Sequence, residues 1–490
     1  MRVRGYEARS RPLALLWVPV ALVLGAATLG IVHHASVQRV RERVGAQPMR
    51  PLVVVELARN RAARATESPA DSEPWRAAAA ALGRGIETFS GESLSQIPTT
   101  RFAAWVLADQ QELDAADFAA LDSYLQLGGG AVLIGRTGRK SDGRSALEKL
   151  FPGRRFSEPS SAATHLRVTE QSPLVAGLAA GEELTVAEPG HGLAASYGDS
   201  LSWVADDGAA ALHVIYRGAP VVWLGVSPER VAEPRQAKAL AENALRYALR
   251  EPVLDLRAWP EGRPCAVLVD GPVGAGANAS ACQIDSATSE SEALRELAHA
   301  GCRFAAVPPD GRGLPELLDV DGSPLVAIPE GRAQATARGS ALMRELLAGY
   351  ERAERLGGVY SLRADASWRA AAGRDALFAR VRDELRARGA WFAAPDELAD
   401  WWSTRSHVRA DLSVLARDRV RVTFANSGSA TARGVTARVY LPGGADTARV
   451  ESGPRLRASP LVRISADHTW IEVVERSLDP GSEVSYTIRF

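Results

Sequence analysis

Charge of one sign is the first thing this 490-residue sequence does not have: lysine plus arginine and aspartate plus glutamate both number 58. A balanced chain argues against nucleic acid held by phosphate neutralisation, which needs a surplus of cations. Cysteine is scarce, with only Cys265, Cys282 and Cys302. Their spacing fits no zinc pattern, and an odd number excludes a complete disulfide framework. Small buried residues are the favoured reading of all three, with one disulfide as the alternative in an oxidising compartment. Beyond the first fifty residues no run is long and apolar enough to span a bilayer, so the bulk of the chain is expected to be soluble domains.

Hydrophobic residues make up 46% and charged residues 24%, enough for real cores, and the length suggests about three domains. Pro12 to Val32 is almost wholly apolar, and about 20 such residues cross a bilayer as a helix. Arg2, Arg4, Arg9 and Arg11 precede it, against Arg39, Arg41 and Arg43 after it, a lean towards an N-terminus inside. His33 and His34 stand where a small-x-small cleavage site would be, which disfavours a cleaved signal peptide. The expectation is a cytoplasmic tail (1–11), a transmembrane anchor (12–34), a linker (35–50), and a periplasmic or extracellular bulk on a bacterial cytoplasmic membrane.

Within residues 51–251, Leu52 to Glu56, Phe102 to Ala108, Ala131 to Gly135 and Val221 to Val226 read as buried strands. Between them, Leu113, Phe118, Leu121 and Leu125 repeat at helical spacing, and Gly128-Gly129-Gly130 supplies a left-handed helix end. Strand–helix alternation of this kind makes a parallel α/β sheet. The helix, the glycine triplet, the strand ending in Gly135, and Leu147 to Phe151 beyond it resemble the class I glutamine amidotransferase-like fold. Active members of that family place a cysteine on the turn after the strand. Here the turn is Gly135-Arg136-Thr137-Gly138, and a threonine without a positioned base is a poor nucleophile. His165, His191 and His213 are available, but none sits in the family's His-x-Glu arrangement.

Residues 252–405 carry a second α/β pattern, read as an incomplete βα barrel. Three pieces resemble the polysaccharide deacetylase (NodB-homology) family: the Trp259-Pro260-Glu261-Gly262 lead-in and strand ending Asp270-Gly271-Pro272; the Gly357-Gly358-Val359 strand; and the closing stretch Trp391 to Arg405. The family's first motif is Thr-Phe-Asp-Asp-Gly, whose first aspartate is the general base and second a metal ligand. Val269 stands in place of the base and Asp270 in place of the ligand. The two histidines that complete the family's metal site have no counterpart in Ile328 to Gln334, which offers Glu330, and Asp365 stands near the family's catalytic histidine. Catalytic zinc takes three protein ligands, with imidazole the usual nitrogen donor, and a metal-bound water needs a base in reach. Asp270, Glu330 and Asp365 together are an all-oxygen set, suited at most to one hard divalent metal ion.

Residues 406–490 alternate apolar and polar residues, with turns at Asn426-Ser427-Gly428, Pro442-Gly443-Gly444 and Asp479-Pro480-Gly481, as in a small β-sandwich. Asp319 to Gly322 reads as a hairpin turn rather than a calcium loop, Gly271 to Ser280 as a loop rather than a phosphate cradle, and His299 as a surface residue. Trp401 and Trp402 are either sugar-stacking residues or packing at a domain junction. The expectation is a membrane-anchored envelope protein whose amidotransferase-like and deacetylase-like domains have lost catalysis, and which binds or scaffolds cell-surface polysaccharide or partner envelope proteins. No cofactor and no nucleic acid belong to it. The alternative is a divergent metal-dependent carbohydrate deacetylase with Asp270 and Asp365 as its catalytic candidates and Asp270 as metal ligand.

Overall fold

A computed structural model describes residues 50–490 apart from 59, 61–72, 110, 139–144, 160–162, 180, 188–191, 197–199, 206–207, 269–289, 308–312, 330–339, 363–373, 417 and 453–458. The expected anchor, 12–34, lies outside the described residues, and among those described no helix is long and apolar enough to cross a membrane. The fold is mixed α/β, with parallel strands in three sheets and two sheets that are wholly antiparallel.

The first unit runs through β1 (Leu52–Leu57), α1 (Glu73–Ala81), β2 (Ile86–Gly91), β3 (Ala104–Leu107), α2 (Ala115–Gln126) and β4 (Gly130–Ile134). It continues with β5 (Phe156–Ser157), β6 (His165–Val168), β7 (Glu183–Thr185), β8 (Ala194–Ala195), β9 (Leu201–Trp203), β10 (Ala209–Tyr216), β11 (Ala219–Leu224) and α3 (Pro234–Ala248). Parallel strands lie in the order β2-β1-β3-β4-β11, and β10, β9, β6 and β7 extend the sheet antiparallel from β11. Strands β1, β3, β4 and β11 are buried throughout, and apolar but for Glu56, because both faces are covered. Val54, Val106, Val132 and Val222 pack on Trp75 of α1 and Leu240 of α3, while Val53, Trp105, Leu133 and Trp223 pack on Leu121 and Tyr124 of α2.

The glycine triplet after α2 has three separate causes. Gly128 takes φ +92° and donates to the Leu125 carbonyl at 2.9 Å, while Gly129 donates to that of Tyr124 at 3.1 Å, a Schellman ending. A Cβ on Gly129 would lie 2.1 Å from the Tyr124 ring, and one on Gly130 would lie 1.8 Å from the Ala248 carbonyl oxygen. The Tyr124 ring meanwhile stacks on Trp105 at 4.1 Å. Turn chemistry therefore demands Gly128, and close packing demands Gly129 and Gly130.

After α3 the chain forms β12 (Val253–Leu256), which falls in the range expected for the second α/β unit but pairs elsewhere, as described below. The second unit then comprises β13 (Ala266–Leu268), α4 (Glu290–His299), β14 (Phe304–Val307), β15 (Glu316–Val320) and β16 (Ser323–Pro329). It closes with α5 (Ser340–Leu356), β17 (Val359–Ser361), α6 (Arg374–Ala387), β18 (Trp391–Ala393) and α7 (Pro395–Arg405). Its six strands form two sheets of three, β17-β13-β18 and β14-β16-β15. One core joins the two sheets through Leu268, Phe304, Val326 and Ile328, and α5 and α6 cover the other face through Leu346, Tyr350, Val381 and Leu385. Asp319 to Gly322 is the expected hairpin turn: Asp321 and Gly322 take φ +52° and +82°, and Asp319 accepts the Gly322 N–H at 2.8 Å.

The last unit holds β19 (Val408–Ala416), β20 (Arg419–Asn426), β21 (Ala432–Tyr440), β22 (Arg449–Ser452), β23 (Leu461–Ile464), β24 (Trp470–Leu478) and β25 (Glu483–Arg489). Sheets β12-β21-β24-β23 and β19-β20-β25-β22 share a core that includes Val422, Phe424, Val439, Val473 and Ile488. The segment leaving the first unit thus becomes an edge strand of the last, with Val253 opposite Tyr440 and Leu256 opposite Ala437. Tyr247 of α3 stacks on Tyr440 at 5.9 Å, tying the first unit to the same sheet.

The cysteines differ from the favoured reading. Cys302 is disulfide-bonded, Cys265 is a free buried thiol whose proton burial holds more tightly than usual, and Cys282 lies outside the described residues. Three equivalent buried thiols is therefore corrected to one thiol and one bridged cysteine.

Candidate functional site

Two places combine the position and the polarity of a site. The first is the carboxyl end of the parallel sheet, where the strand order reverses between β1 and β3 and where such sheets bind ligands. Strand β4 leads into Gly135, at φ +51°, and a Cβ there would lie 2.1 Å from Asp109 Oδ1. Asp109, 5% exposed, accepts the Arg136 N–H at 3.1 Å and lies 3.6 Å from the Arg230 guanidinium. Thr137 sits at the position the resemblance marks for a nucleophile. It is fully buried, and its hydroxyl donates to the Ala108 carbonyl at 2.6 Å. That proton is committed to a strand end, so Thr137 bolts the turn to β3.

The neighbours are tied in the same way. Gln111 accepts the Leu57 N–H at 2.8 Å and donates to the Asp109 carbonyl at 3.3 Å, and Arg136 pairs with Glu158 at 2.7 Å. His165 is on β6 and His213 on β10, in the antiparallel half of the sheet, the latter edge-on to Tyr247 at 4.9 Å. His191 lies outside the described residues. Among the described residues of this edge, these bonds close strand ends, and Arg136 Nε is buried without a hydrogen-bond acceptor.

In the second unit, Asp270, Glu330 and Asp365 all lie outside the described residues. The strands that lead to two of them are parallel neighbours, Leu268 of β13 pairing with Ser361 of β17 and with Ala393 of β18. Among the described residues no group of three or more His, Cys, Asp or Glu side chains is placed to hold a metal ion. His299 is on the surface, 3.7 Å from Asp321.

The second place is a cleft of about 500 Å³ where all three units meet. The structure brings Trp401 and Trp402 here, at the end of α7. Trp401 donates its indole N–H to the Ala258 carbonyl at 2.8 Å, and Trp402 lies 5.5 Å from Trp259. Trp259, 1% exposed, donates in turn to the Gly357 carbonyl at 2.7 Å. Trp401 is packing at a junction; Trp402 is also a wall of the cleft.

Arg405, at the last turn of α7, donates from Nε to the Arg257 carbonyl at 3.1 Å and from Nη2 to that of Leu256 at 2.8 Å. Burial pulls its guanidinium below the ordinary arginine range, and the negative charge of Asp255 opposes that pull. Asp255 and Arg257 alternate along the β12 segment and face the same space, 4.0 Å apart and each about an eighth exposed. Arg257 Nε is buried without a hydrogen-bond acceptor. Arg409 and Asp411 of β19 stand exposed on the rim, and Arg235 reaches it from the first unit. Sequence reasoning missed these residues because they come from separated stretches, and no spacing rule links 255 to 405.

No protein-family model and no curated protein matches the chain. Among solved structures, a ThuA-like protein from Bacteroides uniformis is similar at 12% identity over 40% of this chain and 91% of that one, with a TM-score of 0.30. A cold-adapted β-galactosidase from Rahnella sp. R3 is similar at 11% identity over 40% of this chain and 31% of that one, with a TM-score of 0.28. Gan42B, a GH42 β-galactosidase from G. stearothermophilus, is similar at 9% identity over 90% of this chain, with a TM-score of 0.29. The chain spans 40% of that enzyme's length. Overlaps this loose carry no argument about fold or activity.

Proposed function

We propose that this chain is a membrane-anchored envelope protein that binds or scaffolds without catalysing. In this reading a flavodoxin-like, amidotransferase-like domain, an incomplete deacetylase-like βα barrel and a β-sandwich stand outside a bacterial cytoplasmic membrane on the anchor 12–34. The ligands are cell-surface polysaccharide or partner envelope proteins. The observation that carries it is Thr137, whose hydroxyl is buried and donates to the Ala108 carbonyl where an active relative would present its nucleophile. The bridged Cys302 supports an oxidising compartment. At the expected deacetylase centre Val269 replaces the general base, and a side chain that cannot take a proton cannot activate water.

The competing activity is a carbohydrate deacetylase with Asp270, Glu330 and Asp365 around a divalent metal ion. It is favoured by one observation, the parallel registration of β13 with β17, the strands that lead towards Asp270 and Asp365. The test is acetate release by the full-length protein from chitooligosaccharide or acetylxylan with added divalent metal. No release is expected; release that Asp270→Ala abolishes would overturn the non-catalytic reading.

A further inference from the structure

We propose that the cleft between the three units binds an acidic oligosaccharide, with Arg257 and Arg405 taking a sugar carboxylate and Trp402 lying along a ring face. The inference rests on the binding role proposed above and names its ligand class. The volume, about 500 Å³, is that of small-molecule sites, which run from roughly 300 to 1,000 Å³. Four arginines line the cleft, Arg235, Arg257, Arg405 and Arg409, against two carboxylates, Asp255 and Asp411. That excess of positive charge is concentrated where water is scarce, because Arg257 and Asp255 are about seven-eighths buried and Arg405 is held below its ordinary proton affinity by burial. An anion entering such a space is attracted more strongly than it would be in bulk water.

The donors have the right form. Arg257 lines the cleft with about an eighth of its side chain exposed, and Arg405 uses Nε and Nη2 on backbone carbonyls while Nη1 takes part in neither bond. Guanidinium forks match a planar carboxylate. Carboxylates at Asp255 and Asp411 accept hydrogen bonds from hydroxyls, which a sugar has and a simple anion does not. Trp402 is half-buried and tilted 45° to Trp259, so an indole surface borders the same space.

Isothermal titration of the full-length protein in detergent with a short oligogalacturonate at low salt tests this. Saturable binding is expected, weakened at least about tenfold when the probe is its carboxyl-reduced, neutral form. Arg257→Gln should lose about tenfold in affinity, the equivalent of one charge-assisted hydrogen bond. Because Arg257 sits at a junction, Arg409→Gln on the exposed rim is the second variant: an unchanged melting curve with affinity reduced a few-fold. No saturable heat, equal affinity for the neutral probe, tight binding of inorganic phosphate alone, or full affinity in folded Arg257→Gln and Arg409→Gln would overturn the inference. Absence of binding leaves the non-catalytic reading standing, whereas acetate release sinks that reading and leaves the titration to speak for itself.

Discussion

The carboxyl edge of the first parallel sheet and the cleft between the units are both crowded with charge, and they use it in opposite ways. At the sheet edge, Asp109, Gln111, Arg136 and Thr137 spend their bonds on one another and on strand ends. In the cleft, Arg405 is only partly engaged and positive groups outnumber negative ones. Polar residues at the topologically favoured place therefore do not make a site by themselves. Bonding capacity has to be left facing open space, and in the proposal above that place is the cleft between the units.

Substitutions can break this contrast. The largest effect is expected for Trp259→Ala, which removes a 1%-exposed indole and its bond to Gly357 from under the cleft. It should lower stability by about 3–5 kcal/mol in urea unfolding and abolish ligand binding with it. Asp109→Ala should cost about 2–3 kcal/mol, because the Arg136 N–H and Arg230 lose their anionic partner. Its affinity for acidic sugar should not move; weaker binding by the folded variant would put the ligand at the sheet edge. Thr137→Val is smaller, about 1–2 kcal/mol, the value of leaving the Ala108 carbonyl without its donor.

A pH scan probes burial in both α/β units. Burial raises the proton affinity of Cys265, Tyr350 and Tyr360 in the second unit and of Tyr124 in the first. Folded-state values above the unfolded ones mean that stability is complete below the ordinary thiol and phenol values of 9.0 and 10.0, and is lost as pH rises past them. Circular dichroism melts should fall progressively above about pH 9, and a melting temperature that stayed flat to strong alkali would contradict the burial described. Least disruptive is Arg409→Ala, expected to change stability by no more than about 0.5 kcal/mol. A large loss of stability there would make the rim arginine a brace like Arg405.

Much of the fold is legible in local chemistry. The end of α2 follows from Gly128, the β15–β16 hairpin from Asp319 to Gly322, and the central strands from unbroken apolar runs, since each depends on neighbours in the chain. Short or half-exposed strands escaped: β2 alternates weakly, and β6, β7 and β9 are three or four residues long. Trp401 and Trp402 were visible as residues of interest, yet only the bond from Trp401 to Ala258 distinguishes a joint from a surface platform.

Composition, periodicity and motif spacing were enough to establish a mixed α/β chain, because that follows from residue identity and short-range order. Where β12 pairs, what Thr137 bonds to and which arginines converge had to wait for folding. Those contacts join positions distant in the chain, 29 residues apart for Thr137 and Ala108 and 149 for Arg405 and Leu256, and chain connectivity alone does not encode which distant surfaces meet.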